Sequence, residues 1–179
     1  MRALIAASCL MVCTILVAES GAQKGKKKEE STTPPRREDV PKYIETLKKS
    51  QVAKERATAC EMIGKRGAIQ VNDVKEALPL LQTAVTKDVS AEVRKAAVTA
   101  LGVIGTDPEN SVPPIKEALK DKNEPVQLSA VSALGAFGPE ARSALPELRE
   151  FQKAVTDKGT KKMVQDSINK ILAKPPKKG

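Results

Sequence analysis

The residues able to do covalent or metal chemistry in this chain are few and poorly placed for it. Histidine is absent, which removes Ser-His-Asp and Cys-His activation of a nucleophile and every metal set that contains imidazole. The cysteines are Cys9, Cys13 and Cys60. Only Cys60 lies beyond the apolar N-terminal stretch, so a chain shortened there has no partner for an internal disulfide. Cys60 sits in an apolar helical stripe with no activating base, and the expected role is a small buried hydrophobe. Aspartates and glutamates are scattered singly. They form no paired-carboxylate, metal-spaced or phosphate-loop pattern, and Asn72-Asp73 reads as a helix cap before Val74 to Leu81. The sequence implies no cofactor, no metal and no catalytic residue, hence a protein that is not an enzyme.

What remains is a set of polar side chains, and helices must position them. Aromatic residues make up 2% of the 179 residues and tryptophan is absent, against the alternating aromatic and β-branched runs that a sandwich or barrel needs. Good helix formers recur at 3.6-residue spacing, which predicts an all-α chain. The strongest signal is internal repetition. Residues 91–105, AEVRKAAVTALGVIG, overlay residues 124–138, EPVQLSAVSALGAFG, with seven identities and no gap. The 33-residue offset carries Val93 onto Val126, Ala97 onto Ala130, Leu101 onto Leu134 and Ile104 onto Phe137. These positions fall on one face of a helix, and Gly105 and Gly138 follow as C-terminal glycines.

A second motif precedes each copy: LPLLQTAVTKD from Leu78, VPPIKEALKDK from Val112 and LPELREFQKAV from Leu145. Its proline suits the first turn of a helix, where a missing N–H costs nothing. Each unit is therefore helix, short turn, helix. Weaker copies flank the central two. Val40 to Leu47 with Val52 to Gly64 precede them, and Leu145 to Val155 with Met163 to Leu172 follow. Atypical terminal units are the rule in stacked repeats. In this reading Cys60 aligns with Leu101, and the first unit's extra residues form a loop from Lys65 to Asp73.

The pattern LP-x-L…D…VR-x-x-A-x-x-AL-G-x-IG resembles the HEAT family, in particular bacterial HEAT-like repeats, over residues 40–172. That resemblance implies a right-handed α-solenoid of about four helix pairs. Its second helices would line a concave surface that binds protein or nucleic acid. Some related sequences are called lyase-like after pigment-attachment proteins, but no catalytic residue of those enzymes is matched. HEAT units often pair an Asp ending the first helix with an Arg opening the second. Asp88 and Arg94 fit, whereas Asp121 faces Gln127, so no continuous ladder is expected.

Two rows of the repeat lie off the core stripe, four residues apart on one helix face. Lys54, Lys95, Leu128 and Gln165 align in one, and Thr58, Thr99, Ser132 and Asn169 in the other. The candidate partner surface is thus Lys54, Thr58, Lys95, Thr99, Ser132, Gln165 and Asn169, set against the plainer reading of an ordinary solvated face. The small residues beside it, Ala96, Ala97, Ala100, Ala130, Ala133 and Gly135, suit close stacking of helices. The net charge of +9 is divided among residues 23–39, residues 173–179 and the repeats. It is not gathered in a groove, and aromatic platforms for bases are missing. A protein partner is expected and nucleic acid is not. The alternatives are a polyanion binder using the basic ends and an accessory subunit of an enzyme.

The N-terminus reads as an address. Met1-Arg2, an apolar run from Ala3 to Ala18, and Ser20-Gly21-Ala22 describe a secretory signal peptide cut between Ala22 and Gln23. Residues 23–39 read as a polar linker and 173–179 as a basic tail. The expected localisation is exported, periplasmic or secreted. The alternative is a membrane anchor formed by residues 3–18, which fall short of the roughly 20 that a spanning helix needs. The lysines at 24 and 26–28 oppose translocation. N-terminal sequencing of the exported form should begin at Gln23; an intact Met1 in a membrane pellet contradicts cleavage.

Overall fold

The computed structural model describes residues 34–173. The expected signal segment, most of the expected linker and all but the first residue of the expected tail lie outside them. Eight α-helices follow one another as four pairs: α1 Val40–Lys49 with α2 Ala53–Ile69, α3 Leu78–Lys87 with α4 Ala91–Ile104, α5 Pro108–Ala118 with α6 Glu124–Phe137, and α7 Leu145–Ala154 with α8 Lys158–Leu172. Short 3-10 segments, Arg37–Asp39, Val71–Ala77 and Gly138–Ala144, join or precede pairs. The first of these falls within the stretch read as linker. No strand occurs among the described residues. The architecture is the expected right-handed α-solenoid, and no described helix is long and apolar enough to cross a membrane.

Local sequence explains the helix ends. Pro41, Pro79 and Pro146 stand in the first turns of α1, α3 and α7, where the ring's fixed φ fits and no helical hydrogen bond is lost. Gly105 closes α4 at φ +61°, and its N–H reaches the Leu101 carbonyl, the left-handed cap that a residue without Cβ adopts freely. The predicted stripe is the core. Val93, Ala97, Leu101 and Ile104 on α4 are buried, as are Val126, Ala130, Leu134 and Phe137 on α6. Thr160, Val164, Ile168 and Ile171 take the same places on α8. Two helices start earlier than the sequence suggested. The Asp157 carboxylate caps α8 by accepting from the Thr160 N–H at 2.7 Å, so α8 begins at Lys158, five residues before Met163, and α5 begins at Pro108, a turn before Val112.

The second helices α2, α4, α6 and α8 form a tightly packed row, while the first helices touch each other far less. Small side chains produce this difference. A Cβ on Gly64 would lie 2.9 Å from the Cα of Ala100, and one on Gly102 2.8 Å from the Cα of Ala133. On Gly135 it would meet Ser167 Oγ at 2.8 Å. Backbone therefore meets backbone along the inner row, whereas Leu, Val and Ile side chains separate the outer helices. A row that is closer-packed on one side curves toward that side, which puts α2, α4, α6 and α8 on the concave face.

These contacts also correct the register of the first unit. Gly64 does for α4 what Gly102 does for α6, so it is not a helix-ending glycine. Both it and Gly67 lie within α2, which runs on to Ile69, and the loop expected from Lys65 to Asp73 is helix and then a 3-10 segment. Ile63 takes the place of Leu101, and Cys60 that of Val98. Asp73 is no cap either. Its carboxylate accepts from Arg66 Nε at 2.7 Å and from Arg66 Nη2, and lies 3.4 Å from Arg37 Nε.

Side-chain loss and side-chain gain should both destabilise this packing. Leu101→Ala is expected to cost about 2–5 kcal/mol by leaving a cavity, and Gly102→Ala about 1–3 kcal/mol by forcing α4 from α6. Thr99→Ala, on the exposed face, should stay within about 0.5 kcal/mol. Urea melts of the three variants check the helix phase, and equal losses at all three positions would show it to be wrong.

Candidate functional site: the inner face of α4, α6 and α8

Chemistry at a single reactive atom has little support among the described residues. Cys60 is completely buried, and burial, with Asp88 and Glu61 nearby, pushes its thiol up to about 12. At neutral pH it stays protonated and inert, as its apolar setting suggested. No group of His, Cys, Asp and Glu suited to a metal occurs among the described residues.

The inner face holds a shallow hollow of about 570 Å³ where α4, α6 and α8 meet. Lys95 and Thr99 of α4 and Leu128 and Ser132 of α6 line it, with Val103, Pro125, Ser129, Ala136 and Met163. Its floor is the Gly102–Ala133 contact, where the lack of side chains leaves room above the backbone. Val103 and Met163 are 53% and 40% exposed and face the same hollow. Polar groups ring them. The Thr99 hydroxyl donates to the Lys95 carbonyl at 2.9 Å and the Ser129 hydroxyl to the Pro125 carbonyl at 2.9 Å, which leaves their oxygen lone pairs free to accept. The arrangement can take an apolar group and hold polar atoms beside it.

The structure brings Lys95, Thr99 and Ser132 together, while Lys54, Thr58, Gln165 and Asn169 lie outside the hollow. The glycine contacts explain the separation. They set Glu61, not Thr58, level with Thr99, and Asp166, not Asn169, level with Ser132. Likewise Ala57 and Lys162 are the counterparts of Lys95. Lys54 and Thr58 are therefore one turn out of row, and Gln165 and Asn169 point elsewhere on α8, hydrogen-bonded to each other at 2.9 Å. Val103, Ala136 and Met163 were missed. Val103 and Ala136 lie four residues after Thr99 and Ser132, so extending the two rows by one helical turn would have found them.

An ionic ladder ties the pairs together at the edge where first helices turn into second ones. Its rungs run between units, not within one. Arg56 of the first unit donates through Nε and Nη2, both at 2.8 Å, to the Asp88 carboxylate of the second. Its Nη1 holds the Ser50 carbonyl of its own turn at 3.0 Å. Arg94 repeats the pattern one unit on, with Nε and Nη2 at 2.6 and 2.9 Å from Asp121 and Nη1 at 3.0 Å from the Asp88 carbonyl. The break expected at Gln127 is there, and what is corrected is the pairing of Asp with Arg inside a unit. A within-unit comparison paired Asp88 with Arg94, but the guanidinium reaches the next carboxylate. The ladder stops at the third unit, where Gln127 has only the carbonyl bond, at 2.5 Å to Asp121, and Val155 stands at the carboxylate's place. For Asp88, burial disfavours the charge, but the hydrogen bonds from Arg56 and the Ser90 N–H outweigh it and hold its pKa below the usual value. The Arg94 hydrogen bonds do the same for Asp121.

These features define a helical-repeat solenoid with a solvent-open inner surface. Residues 40–110 match the family model described as HEAT repeats. The repeat itself continues through α8. Among solved structures, a designed armadillo repeat protein in complex with the peptide (KR)4 shares the fold at TM-score 0.61 and 20% identity, over 77% of this chain and 70% of that one. Computationally designed armadillo repeat proteins for modular peptide recognition match at TM-score 0.58 and 24% identity, over 75% and 69% of the two chains. An engineered protein matches at TM-score 0.61 and 21% identity, over 74% and 62%. No curated protein matches the chain in sequence.

The ladder makes stability depend on acid in a defined direction. Because the folded pKa values of Asp88 and Asp121 lie below the unfolded value of about 3.9, their contribution is complete above that pH. It is lost as pH falls through the folded values. Arg94→Gln, which copies the third unit, is expected to cost about 2–3 kcal/mol at pH 7. It should also flatten the fall in Tm below about pH 4. Thermal melts across pH 2–7 check both, and an unchanged acid limb in the variant would contradict the assignment.

Proposed function

We propose that this chain is a non-catalytic interaction module that holds an extended stretch of a partner protein across its second helices, and that it does so outside the cytoplasm after losing residues 1–22. The hollow over α4, α6 and α8 carries this reading, since it exposes apolar surface on a concave face ringed by hydrogen-bonding groups. Solenoids of this kind commonly act as interaction scaffolds. One that shares the fold is in complex with the peptide (KR)4, which supports a peptide segment as the occupant. No aromatic anchor lines the hollow, which points to modest affinity spread over a long contact. Delivery to the exterior rests on the N-terminal apolar run and its small-residue cleavage pattern.

Replacing Lys95 and Ser132 together with glutamate should abolish partner capture while helical content and Tm stay nearly unchanged, because both side chains are exposed. Removing residues 23–33 and 174–179 should leave capture intact. The reverse outcome, with silent inner-face changes and binding lost on trimming the ends, would favour a polyanion held by the basic termini and its steep salt dependence.

A further inference from the structure

The hollow's lining has one charged residue, and it is a cation. Among the residues that line it only Lys95 ionises, and no carboxylate reaches it. Lys95 forms no ion pair among the described residues, whereas Lys49 and Lys116 pair with Glu45 and Glu147. Lys162, its counterpart on α8, is exposed and also without an ion partner among the described residues, with Asp166, level with Ser132, one turn further along α8. The two lysines flank Leu128 in one row across α4, α6 and α8. That row sits one turn in from the N-terminal ends of these helices. Beyond the row, toward the helix C-termini, the lining is Val103 and Ala136, while Met163 directly follows Lys162 on α8.

Resting on the interaction reading above, we propose that the occupant is an extended acidic–apolar segment of a partner protein. Its aliphatic side chain fills the space between Val103, Leu128 and Met163, and an adjacent carboxylate pairs with Lys95, with a second near Lys162. Two helix steps of about 8–10 Å separate those lysines. At about 3.3 Å per residue an extended chain spans that distance in roughly five or six residues. The recognised pattern is thus two carboxylates about five residues apart with an aliphatic residue between them. A basic segment finds no carboxylate in the hollow, and a purely apolar one leaves Lys95 without a counter-charge.

The test uses the full chain with methyl-labelled methionine, and synthetic peptides of about ten residues that carry a Leu-Asp, Leu-Asn, Leu-Lys or Gly-Asp pair in a Gly-Ser frame. Met163 lines the hollow and Met62 does not, so the two methyl resonances separate occupancy from general contact. The Leu-Asp peptide should shift Met163 and leave Met62 in place. The Leu-Asn peptide should bind about twofold to fivefold more weakly, and the Leu-Lys peptide on the order of tenfold more weakly. Lys95→Glu should invert the order of the Leu-Asp and Leu-Lys peptides. The Gly-Asp peptide should leave Met163 unmoved. If the Leu-Lys or Leu-Asn peptide binds the unaltered chain as tightly as the Leu-Asp one, the acidic preference is overturned while the interaction face stands. If no peptide shifts Met163, both readings fall.

Discussion

Between α4 and α6 the helices meet where Gly102 has no side chain, and an added Cβ would lie 2.7 Å from that of Ala133. The same step recurs at Gly64 on Ala100 and at Gly135 on Ser167. Packed interiors hold little free volume, so these contacts fix both the spacing of the second helices and their relative height. Curvature follows, because the first helices, which carry larger buried side chains such as Leu81, Ile115 and Leu148, touch each other far less. The hollow follows as well. Its floor is backbone and alanine, and its rim is whatever stands one turn away on either side.

The ionic ladder works at the other end of the same helices. Arg56 and Arg94 each join the carbonyl of their own turn to the carboxylate of the next unit, so they hold neighbouring pairs in register while the glycines set the distance. Between the third and fourth units Gln127 and Val155 replace the charged pair. There α8 is held by the Gly135–Ser167 contact and by its apolar stripe, Val164, Ile168 and Ile171. Met163, the apolar side chain that α8 gives to the hollow, belongs to this fourth unit, whose ionic tie to the third is Lys116–Glu147 instead.

The repeat was legible because a core stripe leaves a strong trace. Val93, Ala97, Leu101 and Ile104 must be apolar at fixed spacing in every central unit, and the proline of each first helix marks its start. Less legible was the first unit, where glycine carries two meanings. Gly105 ends a helix, whereas Gly64 is a point of close approach inside one, and the letter is the same. Reading Gly64 as an end moved Cys60, Lys54 and Thr58 by one turn, which put Lys54 and Thr58 into a row they do not share. The ladder was obscured for a related reason. An Arg and an Asp six residues apart suggest a pair within a unit, and only the stacking of units shows that the guanidinium faces the next carboxylate. Lys95, Thr99 and Ser132 were found together because their units align without a gap.

The central claim is that the second helices form the shorter, inner side of the curve because glycine lets them touch. Distances between spin labels test it directly, with Cys9 and Cys13 changed to serine and buried Cys60 left in place. Labels at Glu61 and Asp166 report the inner row, and labels at Lys48 and Lys153 the outer one. The inner pair should be the closer of the two, and Gly102→Leu should lengthen it while changing the outer distance less. An inner distance equal to or longer than the outer one, or one unmoved by Gly102→Leu, would contradict the account.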